Sequence, residues 1–274
     1  MKAMYARVLH KAPITLITCL LLGAILSLCA CGLMPNSGYD ATDANGTHFT
    51  LVEKDKLTVA ASLDFPPFEN FENNEAVGFE VDVMKAIAQD LGLELNYLPS
   101  MKFDTIIPAI AAGGSADVGV SGFTITPKRL KTIDFSDPIC DTNQSIVTLS
   151  GSPIKTIEDL KGLRIGGETG TTGLDLSREL INDAEEIIAF DEYPAVFAAL
   201  QSGQMKAAVL DKPVSEYYIK TAYPDCEVVQ EIPTGEQYGI AISKDNPGLT
   251  EAINNSIKRL EESGKLDELK SKWF

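Results

Sequence analysis

The segment Asp117-Val-Gly-Val-Ser-Gly-Phe-Thr-Ile-Thr-Pro-Lys-Arg129 joins a short apolar run to small polar residues and one arginine. Val118 to Val120 predicts a buried strand, and Thr126-Pro127 predicts the N-cap and first position of a helix. Arg129 then lies in the first helical turn, where a cation opposes the helix macrodipole. We therefore expect a small anion here, and a carboxylate matches the guanidinium with two hydrogen bonds. A surface ion pair with a nearby aspartate is the alternative.

Short apolar runs alternate with amphipathic segments around this stretch, which is typical of parallel strands joined by helices. Leu57 to Ala61 and Leu95 to Leu98 predict strands, while Val81 to Leu91 and Phe103 to Ala112 have helical spacing. The same alternation continues over residues 147–233. The sequence therefore predicts an α/β fold with two such units.

Two stretches would connect these units if the chain leaves one lobe and later returns to it: Asn143 to Leu149 and Gly235 to Ile242. This layout assigns residues 49–143 together with 236–274 to lobe one, and residues 147–233 to lobe two. A cleft between two lobes is a common place for a ligand.

The amino terminus predicts export. Three cations precede an apolar stretch from Ile14 to Leu28 that is short for a membrane span. Leu28-Cys-Ala-Cys-Gly32 resembles a bacterial lipoprotein cleavage box, with Cys31 as the residue that would be acylated. We predict a lipoprotein signal peptide at residues 1–30 and a flexible polar tether at 31–48. An uncleaved anchor or an ordinary signal is the alternative.

The charge and cysteine content exclude several classes of protein. The formal net charge is −16, which opposes binding to nucleic acid or to anionic lipid surfaces. Beyond Cys31 only Cys140 and Cys226 remain, so a dense disulfide framework is excluded, whereas one bridge between them stays open. The sequence has no His/Cys ligand cluster, and we expect no metal or organic cofactor. We expect a monomer.

A series of short motifs follows one order through residues 50–274. They are Pro66-Pro-Phe68, Gly78-Phe-Glu-Val-Asp82, Phe135-Ser-Asp-Pro138, Gly170-Thr-Thr-Gly173, Asp211-Lys-Pro213, Tyr238-Gly-Ile240 and Lys272-Trp-Phe274. This order resembles the polar amino-acid solute-binding proteins of ABC importers, bacterial extracellular solute-binding protein family 3. The resemblance implies a periplasmic binding protein type II fold with two hinge strands, a ligand between the lobes, and delivery to a membrane permease.

The resemblance also implies a set of ligand anchors. Arg129 matches the position that clamps the ligand α-carboxylate, with Ser121 and Thr124 beside it. Thr171 and Thr172 would approach the same carboxylate from lobe two. A phosphate loop is the alternative for their turn, but its Lys-[Ser/Thr] ending is missing, so a nucleotide is not expected. A plain N-cap turn also remains open.

Asp211 follows an apolar strand, Ala207 to Leu210, at the carboxyl end where open α/β sheets place ligands. The resemblance gives this aspartate the ligand α-ammonium, whereas its chemistry alone equally allows it to cap the next helix. Phe65 and Phe103 match aromatic positions that flank the ligand side chain in relatives. A Phe in a loop is otherwise usually buried in a core.

The sequence does not decide whether the ligand has a cationic or a neutral side chain. Ser62 stands where relatives that bind lysine or arginine often carry an aspartate, which weakens a cationic assignment. Glu168, just before the Thr-Gly-Thr-Thr turn, would restore a negative charge, or would be a solvated surface acid.

Two other functions compete with a lipid-anchored receptor. A few relatives on this fold are dehydratases that act on small prephenate-like acids, and such chemistry needs a positioned acid or base. His10 is lost with the predicted leader and His48 lies in the predicted tether, which leaves Glu168 as the one plausible general acid. A sensor domain would require a partner protein. We therefore predict a non-enzymatic, extracytoplasmic receptor for a polar amino acid.

Overall fold

The computed structural model describes residues 38–181 and 183–274 of the 274-residue chain. The predicted signal peptide at residues 1–30 and the acylation candidate Cys31 lie outside the described residues. Within the described ranges, no helix combines the length and the apolar character needed to cross a bilayer.

The secondary structure alternates strands and helices, as the periodicity predicts. The strands are β1 Tyr39–Thr42, β2 His48–Leu51, β3 Lys56–Ala60, β4 Asp64–Phe65, β5 Glu69–Glu72, β6 Glu75–Val77, β7 Glu94–Tyr97, β8 Val118–Gly119, β9 Asp134–Phe135, β10 Cys140–Leu149, β11 Arg164–Glu168, β12 Glu186–Phe190, β13 Ala207–Asp211, β14 Cys226–Tyr238 and β15 Ala241–Ile242. The α-helices are α1 Phe79–Leu91, α2 Phe103–Ala112, α3 Thr172–Leu180, α4 Tyr193–Gln201, α5 Lys212–Thr221, α6 Pro247–Glu262 and α7 Lys265–Trp273. Short 3₁₀ helices occupy Arg129–Lys131 and Ile157–Leu160.

Two five-stranded sheets organise the described residues. In the first, with the order β7-β3-β8-β15-β9, β3 runs parallel to β7 and β8, and β15 is antiparallel to both of its neighbours. In the second, with the order β12-β11-β13-β10-β14, β11 runs parallel to β12 and β13. Because each sheet has its own helices, the structure confirms the predicted two-lobed α/β fold.

The strands β10 and β14 connect the two lobes and pair with each other in antiparallel fashion. Their ladder begins with Cys140 opposite Tyr238 and ends with Leu149 opposite Cys226. The 10 residues of β10 span about 30 Å at roughly 3.3 Å per residue. A disulfide needs Cα atoms within about 7 Å, so the two cysteines, both free, cannot bridge within the chain.

The amino-terminal part of the described chain corrects the predicted tether. Residues 38–48 were expected to be flexible, yet β1 and β2 pair as a hairpin. The Asp43 carboxylate fixes the turn by accepting hydrogen bonds from the Asn45 and Thr47 amides at 2.9 and 2.8 Å. Phe49 and Leu51 then bury their side chains. The polar residues of this stretch form a tight turn and an exposed strand face. Their composition is similar to that of a flexible linker, so the sequence alone does not distinguish the two.

The helix predicted at Thr126-Pro127 is also wrong in extent. Only the three residues Arg129–Lys131 form a 3₁₀ helix, although the Thr126 hydroxyl does accept from the Arg129 amide at 3.1 Å. A helix this short has no aligned macrodipole, so the dipole argument for an anion does not apply. The case for an anion depends instead on what surrounds the guanidinium.

Candidate ligand site between the two lobes

A small cavity lies where the ends of several strands from both lobes meet. Its lining comprises Phe65, Phe103, Ser121, Gly122, Thr124, Arg129, Thr171, Thr172 and Asp211. Eight of the ten residues predicted for ligand binding therefore border one space. The other two, Ser62 and Glu168, are not part of this lining; both are buried and each hydrogen-bonds to a lining residue.

The Arg129 guanidinium crosses from lobe one to lobe two. It donates to the Thr124 carbonyl at 2.8 Å and to the Gly170 carbonyl at 3.0 Å. Its central carbon lies 5.5 Å from the ring centroid of Phe103 and 5.4 Å from that of Phe123. Burial lowers the pKa of this guanidinium, against the nearby carboxylates that raise it. Among the described residues it forms no ion pair, so the alternative of a surface ion pair is wrong.

Asp211 is the acidic counterpart on the opposite side of the cavity. Its Oδ1 accepts from the Tyr238 hydroxyl at 2.7 Å and from Gln144 Nε2 at 2.9 Å. Its Oδ2 accepts from the Tyr193 hydroxyl at 2.8 Å. Although α5 begins just after Asp211, the side chain does not cap that helix. Burial and the charge of Glu236 raise the pKa of Asp211 to about 6.

The two threonines at the start of α3, Thr171 and Thr172, form different contacts. The Thr171 hydroxyl accepts from the Leu174 amide at 3.2 Å and donates to the Glu168 carbonyl at 2.8 Å, which is an N-cap arrangement. The Thr172 hydroxyl instead lies 3.4 Å from the Thr124 hydroxyl of the other lobe. Thus the simple N-cap interpretation holds for Thr171, while Thr172 faces the cleft.

Glu236 is a residue of the site that the sequence did not indicate. It extends from β14, and its Oε2 accepts from Thr124 Oγ1 at 2.9 Å, Thr172 Oγ1 at 3.0 Å and Gln144 Nε2 at 3.1 Å. One carboxylate thereby joins hydroxyls of both lobes. Within its strand, Glu236 belongs to an alternating run of half-buried and exposed residues, and nothing local distinguishes it from a solvated acid.

The aromatic wall of the cavity constrains the backbone. The Phe65 ring packs edge-on against Tyr193 with centroids 5.0 Å apart. Gly122 has φ +57°, and a Cβ on it would lie 2.3 Å from the Phe65 ring. This position therefore requires glycine, both for its left-handed backbone and for the close ring.

Ser62 and Ser121 bind to each other within lobe one. The Ser121 hydroxyl accepts from the Ser62 amide at 3.0 Å and donates to the Ser62 carbonyl at 3.1 Å. The Ser62 hydroxyl donates to Asp64 Oδ1 at 2.8 Å. These hydroxyls hold the loops that carry the cavity lining in place.

Glu168 is buried next to the cavity lining, where its backbone carbonyl accepts from Thr171, so the alternative of a solvated acid is wrong. Only 2% of this residue is exposed, and its Oε1 has no hydrogen-bond partner. Burial, together with the charges of Asp64 and Asp211, raises the pKa of Glu168 to about 9.

A second carboxyl cluster lies inside lobe one. Glu69 and Glu80 are 0% and 1% exposed. Glu80 Oε2 accepts from the Gly122 amide at 3.0 Å. Burial and the neighbouring Glu80 raise the pKa of Glu69 well above its usual range, and burial also raises the pKa of Glu80. Through the Gly122 amide, Glu80 helps to position the loop that carries Thr124.

The lobes lie in a closed arrangement around the cavity. The Tyr218 hydroxyl of lobe two donates to the Asp64 carbonyl of lobe one at 2.7 Å. At the rim, Lys102 binds Asp191, and Lys128 binds Asp175 at 2.7 Å. No cluster of potential metal ligands occurs in the described ranges.

A two-lobed α/β fold in which charged groups of both lobes face one small cleft defines a solute-binding protein. The chain matches the sequence profile of the bacterial extracellular solute-binding proteins, family 3, over residues 57–274, and it belongs to that family.

Individual relatives are named for different amino acids. A probable histidine-binding protein of Neisseria gonorrhoeae is 32% identical over 223 residues, which cover 79% of this chain and 82% of the relative. The ABC transporter glutamine-binding protein GlnH of Bacillus subtilis (strain 168) is 32% identical over 257 residues, which cover 92% and 93%. The solved structure of an ancestral arginine-binding protein bound to arginine has a TM-score of 0.76 at 38% identity, covering 81% of this chain and 99% of that one.

The comparisons confirm the predicted class, an amino-acid-binding protein of the kind that serves ABC importers. The names of these relatives cover three different side chains, so they leave the ligand of this chain open.

Proposed function

We propose that this protein closes its two lobes around one free polar amino acid, binds the α-carboxylate with Arg129 and the α-ammonium with Asp211, and delivers the ligand to an ABC permease. The observation that carries this proposal is a pair of opposite charges, neither in an ion pair within the described residues, that face the same small cavity. A zwitterion supplies both missing partners.

The α-carboxylate side of the site is rich in donors. The Arg129 guanidinium has two hydrogen bonds to carbonyls and keeps further N–H groups for a ligand. The hydroxyls of Thr124 and Thr172 lie beside it, one from each lobe, and would turn from Glu236, to which both donate, to the ligand carboxylate. Charge-assisted hydrogen bonds contribute about 1.5–3 kcal/mol each, so this side can hold a carboxylate without a metal.

The α-ammonium side is an acceptor held in place by tyrosines. Tyr193 and Tyr238 fix both oxygens of Asp211, and each tyrosine is at most 1% exposed. An ammonium group would favour the ionised carboxylate and lower the raised pKa of Asp211. Ligand binding and ionisation of this residue are therefore coupled.

Closure of the lobes explains how a ligand is retained. Arg129 and Thr124 come from lobe one, whereas Thr172 and Asp211 come from lobe two, so only the closed form joins all anchors. The connecting strands β10 and β14 are the elements on which such a closure would turn. Micromolar affinity, suited to scavenging, corresponds to about −8 kcal/mol.

The family is extracellular, and we propose that a lipid at Cys31 holds this member at the outer face of the membrane. The support is the sequence of residues 1–31, with its cations, its short apolar run and its cleavage box. We further propose that the protein works as a monomer beside its permease. Mass spectrometry of the membrane-extracted protein tests the anchor, because an unmodified Cys31 would contradict it.

A dehydratase acting on a small prephenate-like acid is the second candidate. The observation in its favour is the high pKa of Glu168, which keeps a buried proton donor at the cavity at neutral pH. The receptor has more support, because the named relatives are binding proteins. Conversion of a prephenate-like acid that disappears in Glu168→Gln would reverse this preference.

The deciding experiment is thermal unfolding of ligand-stripped protein in the presence of each common amino acid. We expect one or a few amino acids to raise the midpoint, and Arg129→Ala to abolish the effect. Arg164→Ala is a matched control, since Arg164 forms a surface ion pair with Glu186. If no amino acid shifts the midpoint of the wild type, the receptor assignment fails.

A further inference from the structure

Glu168 is the one acid of the cleft whose carboxylate lacks a partner for a buried oxygen. It ends β11, and β11 runs parallel to β13 with Gly166 opposite Ala208. Continuing this register places Glu168 level with Leu210, one residue before Asp211. Neighbouring strands lie about 4.8 Å apart, so Glu168 and the proposed α-ammonium anchor are adjacent at the same sheet edge.

Acids from four different elements surround this carboxylate. The groups whose charges act on Glu168 are Asp64 at β4, Asp104 on α2, Glu192 before α4 and Asp211 at β13. In return, Glu168 raises the pKa values of Tyr193 and Tyr218. Among the described residues, the lysines and arginines near the cleft are paired at its rim or hold carbonyls, and none forms an ion pair with Glu168 or Asp64.

The surrounding acids have more hydrogen-bond donors or more contact with water than Glu168 has. The Asp64 carboxylate receives the Ser62 hydroxyl at 2.8 Å, and the Tyr193 backbone amide lowers its pKa against the effect of burial. Asp211 receives three donors. Glu192 and Asp104 are exposed and screened by water. Negative charge from both lobes therefore converges on one buried carboxyl group with no cation beside it.

Two kinds of ligand side chain would satisfy Glu168. A neutral amide would accept a hydrogen bond from the protonated acid, but it would leave the negative charge of Asp64 near Glu168 without a counter-ion. A cation would pair with the ionised acid and would also offset its neighbours. The α-ammonium cannot serve this purpose, because Asp211 already takes it.

We propose that the ligand is an amino acid with a cationic side chain, and that Glu168 binds this cation. This inference rests on the proposed function and specifies its substrate class. Ser62, where relatives of that class often carry an acid, does not contradict it, because the negative charge comes from lobe two and from the adjacent Asp64. Phe65 then covers the aliphatic part of the side chain.

The proposal predicts proton release on binding. The pKa of Glu168 is about 9 in the structure, so near pH 7 the empty site holds a proton that a bound cation would displace. The affinity for a cationic ligand rises as the pH rises towards 9, whereas the affinity for a neutral isostere changes little.

Titration calorimetry with matched ligands tests this. We would compare arginine with citrulline and lysine with norleucine, because each pair differs mainly in charge. The wild type is expected to prefer the cation in each pair and to release protons, seen as a binding heat that depends on the buffer. Glu168→Gln should weaken arginine binding by roughly 30-fold or more and citrulline binding by less than about three-fold.

Glu192→Gln is the control, since it removes an exposed negative charge close to the same cluster. It should leave the arginine affinity within about three-fold. Equal binding of arginine and citrulline by the wild type, with no proton release, would overturn the cationic assignment and leave the receptor function intact. Failure of every amino acid to bind would instead overturn the proposed function itself. If Glu168→Gln does not fold, the proton release of the wild type with arginine, beyond that with citrulline, decides the question, because any amino acid also favours the ionised Asp211.

Discussion

Two clusters of buried carboxyl groups in this protein differ in where they lie. Glu69 and Glu80 are neighbours inside lobe one, and Glu80 Oε2 accepts from the Gly122 amide. Glu168 and Asp211 lie at the ends of strands beside the cleft between the lobes. Within the described residues, both clusters contain buried carboxyl oxygens without a hydrogen-bond partner, those of Glu69 and Oε1 of Glu80 in the first and Oε1 of Glu168 in the second. A missing partner therefore points to a ligand only where the group also lies beside a cleft.

The largest expected effect comes from removing the cation that faces the second cluster. Arg129→Ala should lower amino-acid affinity by about 100-fold or more, because two or more charge-assisted hydrogen bonds of about 1.5–3 kcal/mol each are lost. Titration calorimetry measures the loss. An affinity within a few-fold of the wild type, or an equal loss in Arg164→Ala, would remove Arg129 from the site.

The first cluster should affect stability instead of ligand specificity. Glu80→Ala leaves the Gly122 amide without its acceptor and opens a cavity, so the free energy of unfolding should fall by about 2–4 kcal/mol. Glu80→Gln keeps an acceptor for the Gly122 amide, so its free energy of unfolding should fall by less. Urea unfolding of the ligand-free proteins checks this, with Glu168→Gln as the contrasting variant, which should be as stable as the wild type or more so. A Glu168→Gln variant destabilised as strongly as Glu80→Ala would erase the distinction between the clusters.

The pH dependence of stability should separate the clusters further. The pKa of Glu168 is about 9 when folded and about 4.3 in an unfolded chain. Between these values the unfolded state is ionised and the folded state keeps its proton, so the stability of the empty protein falls as pH rises from 5 towards 9.

Glu168→Gln should show a shallower decline over this window, and the remaining slope reflects other acids of raised pKa such as Glu69. A saturating cationic ligand should reduce the slope of the wild type in the same way. Urea unfolding at pH 6 and pH 9 measures both effects. Identical slopes for the wild type and Glu168→Gln would show that Glu168 is not protonated in the empty protein.

The smallest effect is expected at Glu236. Its carboxylate binds the hydroxyls of Thr124 and Thr172, the same hydroxyls that are proposed to meet the ligand α-carboxylate. Glu236→Gln removes a competing negative charge and should tighten binding by about 3- to 10-fold, or roughly 1 kcal/mol. Glu227→Gln, on the same strand but paired with Lys155 at the surface, is the control. Weaker binding in Glu236→Gln would mean that the carboxylate stabilises the closed, ligand-bound form.

Several site residues were predictable because their signals are local. Thr171 lies in a turn that opens a helix, and Asp211 follows directly after a buried apolar strand. Both positions are defined by neighbours along the chain, and open α/β sheets place ligands at such strand ends. The motif order added the proposed roles of Arg129 and Phe65, which chemistry alone left open.

Other residues of the site were not predictable from their local sequence. Glu236 belongs to a strand segment in which half-buried and exposed residues alternate. The pairing of β14 with β10 nevertheless brings it into contact with Gln144 and Thr172. The polar stretch before Phe49 resembles a linker, yet it forms a hairpin because Asp43 fixes the turn. These outcomes depend on contacts with residues that are distant in sequence.

Hydrophobic periodicity and turn chemistry act over a few neighbouring residues, so the sequence by itself determined the class of fold. The two-lobed layout and most of the residues that border the cleft were implied by the order of motifs that resembles the solute-binding proteins. Only the tertiary structure decided that the cysteines lie at opposite ends of one ladder, that Glu69 and Glu80 are neighbours inside lobe one, and that Glu168 is buried beside the cleft without a partner for one oxygen. Whether a buried charge has a partner depends on which strands and lobes come together, and no local pattern along the chain encodes that.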